Sequence, residues 1–349
     1  MDGYKKIGLL LCLNFMLILQ GCVGNGLDEC PDAIRYSLAF KYTLHTDNYD
    51  RFYNDVDKLF VYAFDAATGV CVYMDTATVL APFNEDYAYS LPLNVGNYDI
   101  IIWGWGHSAT NLLFKKNTAR VYGINEGITR GQTTINDARL LLEERNSDGC
   151  IDKTFYGEFR NVEVPAFVSR IDTVSLLNLA NQIRIVIPDA KTVAEQDDLS
   201  LSIVGDNGAY LFNSGNNAPN IDATRGAVAY LPYTVYRTDS ILLADPIYMS
   251  EPYTGSGRDS MLVVEISTLR LIQYDMDMEL ILRMGSREIK FSLIDLLKAG
   301  ISSNIQYNLD KYDRWQISYN YKNTSVSVTI NTMDWHVVYM PTDVGGIMQ

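Results

Sequence analysis

The residue with the clearest chemistry in this sequence is Cys22, which ends the run Leu19-Gln20-Gly21-Cys22. In a bacterial lipobox, an aliphatic residue, a small residue and Gly or Ala precede a cysteine. The sulfur of that cysteine receives diacylglycerol, and cleavage then makes it the new N-terminus. Gln20 is bulkier than the usual residue at its position. The spacing predicts lipidation at Cys22, and the alternative is ordinary signal-peptidase cleavage near Gly21.

The residues around Cys22 have the composition of an export signal and a tether. Lys5 and Lys6 precede the apolar run Ile7–Leu19, which at about 13 residues is too short to span a bilayer. We therefore predict a lipoprotein signal peptide at 1–21 and a lipidated tether at 22–30. Several acyl chains on one residue anchor a protein stably. We therefore predict an exported protein that is lipid-anchored and exposed at the surface.

The other cysteines of the mature chain are Cys30, Cys71 and Cys150. An odd number permits at most one disulfide, and both a bridge and three buried thiols remain open. No two cysteines have the spacing of zinc ligands. The histidines are far apart in sequence, at His45, His107 and His336. We therefore expect no metal site.

Two other groups of residues could in principle bind a ligand, a set of aspartates and a glycine-containing run. Asp47, Asp50, Asp55 and Asp57 could bind Ca²⁺, but their spacing matches no calcium loop and favours a solvated polar loop. The run at 104–108 lacks the third glycine of a dinucleotide loop.

Hydrolytic chemistry has no sequence signal either. No Gly-x-Ser-x-Gly elbow is present, although a glycosidase carboxylate pair would leave no trace. Trp103 and Trp105 beside Tyr98 could form a sugar-stacking platform, or divide between core and surface. We predict no catalytic residue, no enzyme activity and no cofactor besides the lipid.

Composition limits the partners and favours strands. The net charge is −14, and nucleic-acid binding would need a basic stripe that is missing, so no nucleic acid is expected. The 24 tyrosines suit half-buried sheet surfaces.

The sequence after the tether consists of many short alternating segments separated by turns. Residues 34–45 alternate with a period of two, which predicts a strand with one buried face. Short helices are predicted at 136–146 and at 293–300, and a hairpin is predicted at Asp206-Asn207-Gly208. This pattern is typical of β-sandwiches, and the length fits two of them, at 31–168 and 169–349.

The order of several segments resembles the FimB/Mfa2-type fimbrial anchor proteins of Bacteroidetes. The resemblance covers roughly residues 22–340 and rests on these segments after the lipobox: Cys30-Pro31, DKLFVYAFDAATG, LPLNVGNYDIIIWG, LLNLANQIRIVI, VVEISTLRL, LIDLLKAG and YNLDKYDRWQISYNY. It implies an all-β fold of two tandem transthyretin-like Greek-key β-sandwich domains with a few short helices. It also implies a lipoprotein of the cell outer membrane that anchors type V fimbriae and terminates their assembly by β-strand exchange, with fimbrial stalk subunits as partners.

The resemblance also suggests which residues act. The last strands alternate as a donor strand would, or as any strand completing its own sheet would: Val326, Val328, Ile330, Trp335, Val337 and Tyr339. Stalk relatives are opened by an Arg-directed protease. Cleavage at Arg35 or Arg51 would separate an anchor from its lipid, so neither is predicted to be a maturation site. Alternative functions are a surface glycan-binding lipoprotein, an accessory or tip fimbrial subunit, and a surface hydrolase.

A short motif of exported proteins in this phylum, Asp-Ser/Thr followed by a small or aliphatic residue, marks O-glycosylation. The matching positions are Thr76, Thr173, Ser240 and Ser260.

Overall fold

The computed structural model describes residues 36–46, 49–78, 83–106, 112–116, 127–151, 153–166, 168–188, 199–238, 261–273, 277–301, 308–320, 325–330 and 338–340. Regular structure in these ranges is almost entirely β-strand, with two short α-helices, α1 (Phe52–Asp55) and α2 (Leu293–Gly300). The all-β prediction and the helix predicted at 293–300 are therefore confirmed. None of the helices in the described ranges is long and apolar enough to cross a membrane.

The strands of the first half build two sheets and contribute to two others. They are β1 (Tyr36–Lys41), β2 (Lys58–Asp65), β3 (Cys71–Thr78), β4 (Ala88–Leu91), β5 (Gly96–Trp105), β6 (Leu112–Lys116), β7 (Ala138–Leu142), β8 (Asn146–Ser147), β9 (Thr154–Val164), β10 (Arg170–Ser175) and β11 (Leu177–Asn178). Sheet A has the order β10-β1-β4, and sheet B the order β11-β9-β5-β2-β3.

The strands of the second half complete the set. They are β12 (Asn181–Ile187), β13 (Leu199–Gly205), β14 (Ala209–Leu211), β15 (Val228–Tyr230), β16 (Pro232–Thr238), β17 (Met261–Thr268), β18 (Glu279–Met284), β19 (Arg287–Ser292), β20 (Arg314–Asn320), β21 (Ser325–Ile330) and β22 (Val338–Met340). Sheet C has the order β14-β7-β6, sheet D β19-β18-β13-β15-β8, and sheet E β16-β17-β12-β20-β21-β22.

Sheet B is a middle layer with a core on each face. In β5, Ile100 and Ile102 join one buried cluster, with Leu38 of β1. Ile101 and Trp103 join the other, with Leu140 of β7. A strand buried on both faces reads as a continuous apolar run, since neither set of alternate residues meets water. This explains the run Ile100-Ile101-Ile102-Trp103.

The second buried cluster continues into the second half. It includes Ile185 of β12, Ile203 of β13 and Ile317 of β20, between sheets D and E. Buried apolar residues that form one contiguous cluster are expected to resist separation. The two halves therefore share apolar packing.

The helix predicted at 136–146 is wrong, because this segment contains β7 and β8. β7 pairs with β6 and with β14. Ala138, Leu140 and Leu142 are buried and the residues between them are half-buried, which is the period of a strand. Pairing with distant strands overrides the local leucine content.

The hairpin predicted at Asp206-Asn207-Gly208 is also wrong. β13 pairs with β15 and β18, whereas β14 pairs with β7 in another sheet. Asn207 is fully buried. Its Nδ2 donates to the carbonyl of Arg270 at 2.9 Å, and its Oδ1 accepts from the Tyr230 hydroxyl at 2.7 Å. These bonds hold a corner between sheets D and C.

The domain division at 168/169 stays a prediction. β10 and β11, which follow that position, hydrogen-bond to β1 and β9 respectively. β8, which precedes it, pairs with β15 of sheet D. Strand pairing therefore crosses the predicted boundary in both directions.

Candidate functional site

The chain of the predicted tether reaches the described structure at β1. Cys22, Cys30 and Arg35 lie outside the described residues. β1 is the central strand of sheet A, parallel to β10 and antiparallel to β4. Its residues alternate between buried and half-buried, as predicted, with Tyr36, Leu38 and Phe40 in the core. The first described strand is thus held by neighbours on both sides.

The other end of the chain forms an edge of sheet E. In β20, the buried residues are Trp315, Ile317 and Tyr319. The Nε1 of Trp315 donates to Asn181 Oδ1 at 3.2 Å, which fixes the indole against the start of β12. Burial raises the pKa of Tyr319. β20 therefore presents an apolar face to sheet D.

The strand predicted as a donor, β21, completes this sheet in its own chain. Its register sets Ile330 opposite Trp315, Val328 opposite Ile317 and Val326 opposite Tyr319. Val326 is buried in the core. Each predicted donor position of β21 thus faces a buried position of β20.

β22 continues the sheet with Val338 opposite Val328 and Met340 opposite Val326. The predicted donor position Tyr339 lies in this strand. Trp335 and Val337 lie outside the described residues. Of the described strands in sheet E, β22 is therefore the outermost at this edge.

An apolar cavity of about 10 Å³ lies between sheets D and E, beside Val326. Its lining is entirely hydrophobic: Ile185, Ile187, Leu201, Leu280, Leu282, Phe291, Ile317, Tyr319 and Val326. A void of this size holds about one water at most, and an apolar void stays dry. A small void therefore lies against Val326 of β21. Sequence alternation predicted the strands, but it carried no signal for this cavity.

An ion pair supports β20, the strand next to β21. Arg270, which follows β17, makes a bidentate pair with Asp310, at 2.7 Å from Nε and 2.8 Å from Nη2. Asp310 belongs to the short 3₁₀ helix that leads into β20. Bidentate Arg–carboxylate pairs fix orientation as well as distance. β20 is therefore anchored at its start, whatever occupies the position of β21.

The predicted glycosylation sites divide in two. Thr76 on β3 and Thr173 on β10 are exposed, whereas Ser240 and Ser260 lie outside the described residues. Asp75 accepts a hydrogen bond from the Tyr89 hydroxyl, which lowers the pKa of that carboxyl. Both described sites lie on strands at the edge of their sheets.

The sugar-stacking platform is wrong. Trp103, Trp105 and Tyr98 are all buried. Trp103 packs edge-on against Tyr156, with ring centroids 4.9 Å apart. A stacking platform needs an exposed ring face, whereas these three rings are covered by other residues of the protein.

The acidic loop is organised by its own chain. Asp50 Oδ1 accepts from the backbone N–H groups of Tyr42 and Phe52. Asp55 pairs with Lys153 and with Arg51, each at 2.9 Å. Asp47 lies outside the described residues. Within the described residues, no three His, Cys, Asp or Glu side chains are grouped to hold a metal ion.

The structure describes two cysteines and one histidine of the chain, Cys71, Cys150 and His45. Cys71 and Cys150 form no disulfide with each other. Burial raises the pKa of the Cys71 thiol to about 11. His45 is buried, and its Nε2 donates to the carbonyl of Tyr49 at 2.8 Å. Cys30, His107 and His336 lie outside the described residues.

A buried carboxylate that the sequence did not reveal links the two halves. Glu158 on β9 accepts hydrogen bonds from Arg160 Nε at 2.7 Å and from the Tyr156 hydroxyl at 3.0 Å. It also accepts from three donors of the loop after β14: Ser214 Oγ, Gly215 N and Asn217 N. Only the three-dimensional contact brings that loop to β9.

The profile of the family described as "Fimbrillin-A associated anchor proteins Mfa1 and Mfa2" matches residues 27–340. No curated protein sequence matches the chain.

Several solved structures share the fold. A candidate adhesin from Bacteroides ovatus has a TM-score of 0.65 at 16% identity, covering 88% of this chain and 96% of its own. A candidate polysaccharide-binding protein from Bacteroides thetaiotaomicron has a TM-score of 0.63 at 18% identity, covering 87% and 98%. The fimbrial anchor protein Mfa2 from Porphyromonas gingivalis has a TM-score of 0.58 at 17% identity, covering 87% and 98%.

Proposed function

The chain belongs to the family of fimbrillin-A associated anchor proteins, and on that premise we propose that it fastens type V fimbriae to the outer membrane. In this proposal the lipid on Cys22 holds the protein at the cell surface, through the tether at 22–30. A fimbrial stalk subunit is the partner, and β-strand exchange at the C-terminal edge of sheet E joins the two. The protein is a structural component without catalysis.

The observation that carries this proposal is the position of β21 and β22. They are the last strands of sheet E, and β21 pairs directly with β20, in which Ile317 and Tyr319 are buried. A strand that left this place would open an apolar groove beside the existing cavity. A strand from another subunit would fill it with main-chain hydrogen bonds and alternate side chains, which is β-augmentation.

The proposed termination of fibre assembly rests on the N-terminal part of the chain. A subunit extends a fibre only if it both accepts and donates a strand. In this protein β1 lies between β10 and β4, and the lipid holds the segment before it. The protein therefore takes part in one junction and ends the fibre there.

Glycan binding is the weaker candidate. One matched structure is that of a candidate polysaccharide-binding protein, but at 18% identity the likeness concerns the fold. The aromatic residues that suggested a sugar platform, Trp103 and Trp105, are in the core. The fimbrial role therefore has the better support.

The anchoring step is tested with Cys22→Ala, expressed in cells that lack the wild-type gene. Fimbriae should then be shed into the medium, and the fraction retained on cells is measured by centrifugation and immunoblotting. Cys150→Ser, at a half-buried cysteine outside the predicted tether, is the matched control and should retain fimbriae. Full retention with Cys22→Ala would rule out the lipid anchor.

Strand exchange is tested by locking β21 to β20. Ser318 and Ser327 face each other across this pair, so Ser318→Cys with Ser327→Cys places a reducible disulfide between the two strands. The oxidised variant should fail to capture the stalk subunit, and reduction should restore capture. Ser37 and Ser90 face each other across β1 and β4, and the corresponding double cysteine variant should capture it in both states. Capture by the oxidised β20–β21 variant would contradict exchange and leave anchoring intact.

A further inference from the structure

The parallel pairing of β1 with β10 has a mechanical consequence. Their register runs over six positions, from Tyr36 opposite Arg170 to Lys41 opposite Ser175. The chain enters β1 at Tyr36. It leaves β10 at Ser175 and continues to β11 and β12. These two points lie at opposite ends of the pair.

Tension between the N-terminus and the second half therefore pulls the two strands in opposite directions along their common axis. In that geometry, the interstrand hydrogen bonds, which run across the strands, are loaded together. Had the two strands been antiparallel, the same two points would lie at one end, and the bonds would open singly. We propose that β1 and β10 form a mechanical clamp that resists extraction of the N-terminal strand under load.

Bonds beyond the ladder reinforce the pair at both ends. The Tyr36 hydroxyl on β1 donates to Asp172 Oδ2 on β10 at 2.8 Å, and within β10 Arg170 pairs with the same carboxylate at 2.9 Å. At the far end, the Leu176 N–H donates to the carbonyl of Lys41 at 2.8 Å. Hydrogen bonds to a charged group are stronger than neutral ones. Sliding of β1 by one residue, about 3.3 Å, would break the Tyr36–Asp172 bond and the Leu176–Lys41 bond together.

The remaining surroundings of β1 oppose the same movement. β4 pairs with β1 over four positions on its other side, from Tyr36 opposite Leu91 to Ala39 opposite Ala88. Leu38 is fully buried, and Tyr36 and Phe40 are nearly so. Extraction of β1 would therefore break two ladders and expose its apolar face at once.

The second half repeats the arrangement. β12, the strand that follows β11, is paired in parallel with β20, from Gln182 opposite Arg314 to Val186 opposite Ser318. The chain enters β12 at Asn181 and leaves β20 at Asn320 toward β21. Tension along the chain thus meets a sheared parallel pair in each half.

The biological use of this clamp rests on the proposed function, in which a fibre pulls against the lipid. Its physical test does not. Forced unfolding reports the rate of mechanical opening, and it needs only the mature chain with a handle replacing the lipid. A clamp that failed in this test would leave fimbrial anchoring untouched, and loss of anchoring would leave the rupture force unchanged.

The test compares two pulling geometries on the same fold by single-molecule force spectroscopy. A handle at the N-terminus is combined with a click-reactive residue either at Ser175 or at Val168, both exposed. The pair ending at 175 shears β1 against β10, whereas the pair ending at 168 unzips them. We expect a severalfold higher rupture force at 175. Should a handle at 168 prevent folding, exposed Ile171 near the same end replaces it.

A third handle, at exposed Val235 in the second half, tests the path through the whole chain. Its first rupture should occur near the force measured at 175, and Tyr36→Phe should lower both. Equal forces at 175 and 168 would overturn the clamp. A rupture from 235 at the force of the 168 geometry would overturn it for the intact chain.

Discussion

The Tyr36 hydroxyl lies 2.8 Å from Asp172 Oδ2 and joins two strands whose residues are 136 positions apart in sequence. Burial, and then Asp172 itself, raise the pKa of Tyr36, so the hydroxyl stays protonated and remains a donor. The bond closes the end of sheet A at which the chain enters β1.

Tyr36→Phe removes this bond and little else. We expect the free energy of unfolding to fall by about 1–2 kcal/mol, because a hydrogen bond to a charged acceptor is lost while Asp172 keeps Arg170. Urea denaturation followed by tryptophan fluorescence measures it. Tyr49→Phe is the control, since Tyr49 is 53% exposed. Equal stabilities for the two variants would show that the bond contributes nothing.

Glu158→Gln should cost about 2–4 kcal/mol, because a buried acceptor that faces five donors becomes a neutral amide with one acceptor oxygen. Arg160 would lose its ion-pair partner at 2.7 Å. The loop at 213–217 should become sensitive to protease, as shown by limited digestion and mass spectrometry. Glu163→Gln, on the exposed side of the same strand, should change neither quantity. An unchanged digestion pattern in Glu158→Gln would contradict the link between the halves.

The Asp222–Arg139 pair predicts a pH dependence. Burial alone would raise the pKa of Asp222, but hydrogen bonds from Thr224 and Arg139 outweigh it, and the pKa is lowered. The unfolded chain therefore binds the proton more readily, so the carboxylate's contribution is complete above the ordinary value of 3.8. It is lost as the pH falls through the lower folded value.

The measurement compares wild type with Asp222→Asn between pH 7 and pH 2.5. Asn should destabilise at pH 7, and the gap should narrow below pH 3.8. Asp86→Asn, at an exposed position, serves as the control. A gap that is constant over this range would exclude the ion pair as its cause.

Cys71 should be inert while the protein is folded. Its pKa of about 11 leaves on the order of 0.1% thiolate at pH 8, and the thiolate is the reactive form. Its side chain is also fully buried. Iodoacetamide should label Cys71 only in denaturant, as read by peptide mass spectrometry. Labelling in native buffer at the rate seen in denaturant would contradict the burial.

Local patterns predicted the strands where the environment of a segment is simple. β1 alternates because one of its faces meets the core, and the run in β5 is apolar because both of its faces do. β7 was missed because three consecutive leucines suit a helix as well as a strand. What decides is pairing with β14, about 70 residues later in the chain.

Turn chemistry failed at Asn207 for a related reason. Asn-Gly favours a hairpin locally, yet the partners of the Asn207 side chain are Tyr230 and Arg270. A Cβ added at Gly208 would lie 2.2 Å from Val228 Cγ2, so glycine serves close packing there. The same limit of local patterns applies to β21. Alternation predicted a strand there, but the register of that strand with Trp315 and Ile317 depends on pairing with β20, which alternation does not reveal.

The central place of β1 sets an order of events during synthesis. The ribosome delivers the N-terminus first, but Tyr36 finds its partner only after Asp172 has followed, 136 residues later. Pairing so distant in sequence raises contact order, and high contact order slows folding. The N-terminal strand is thus the earliest to emerge and among the last to be secured, and a chaperone that shields it meanwhile would have an exposed Tyr36-Leu38-Phe40 face to hold.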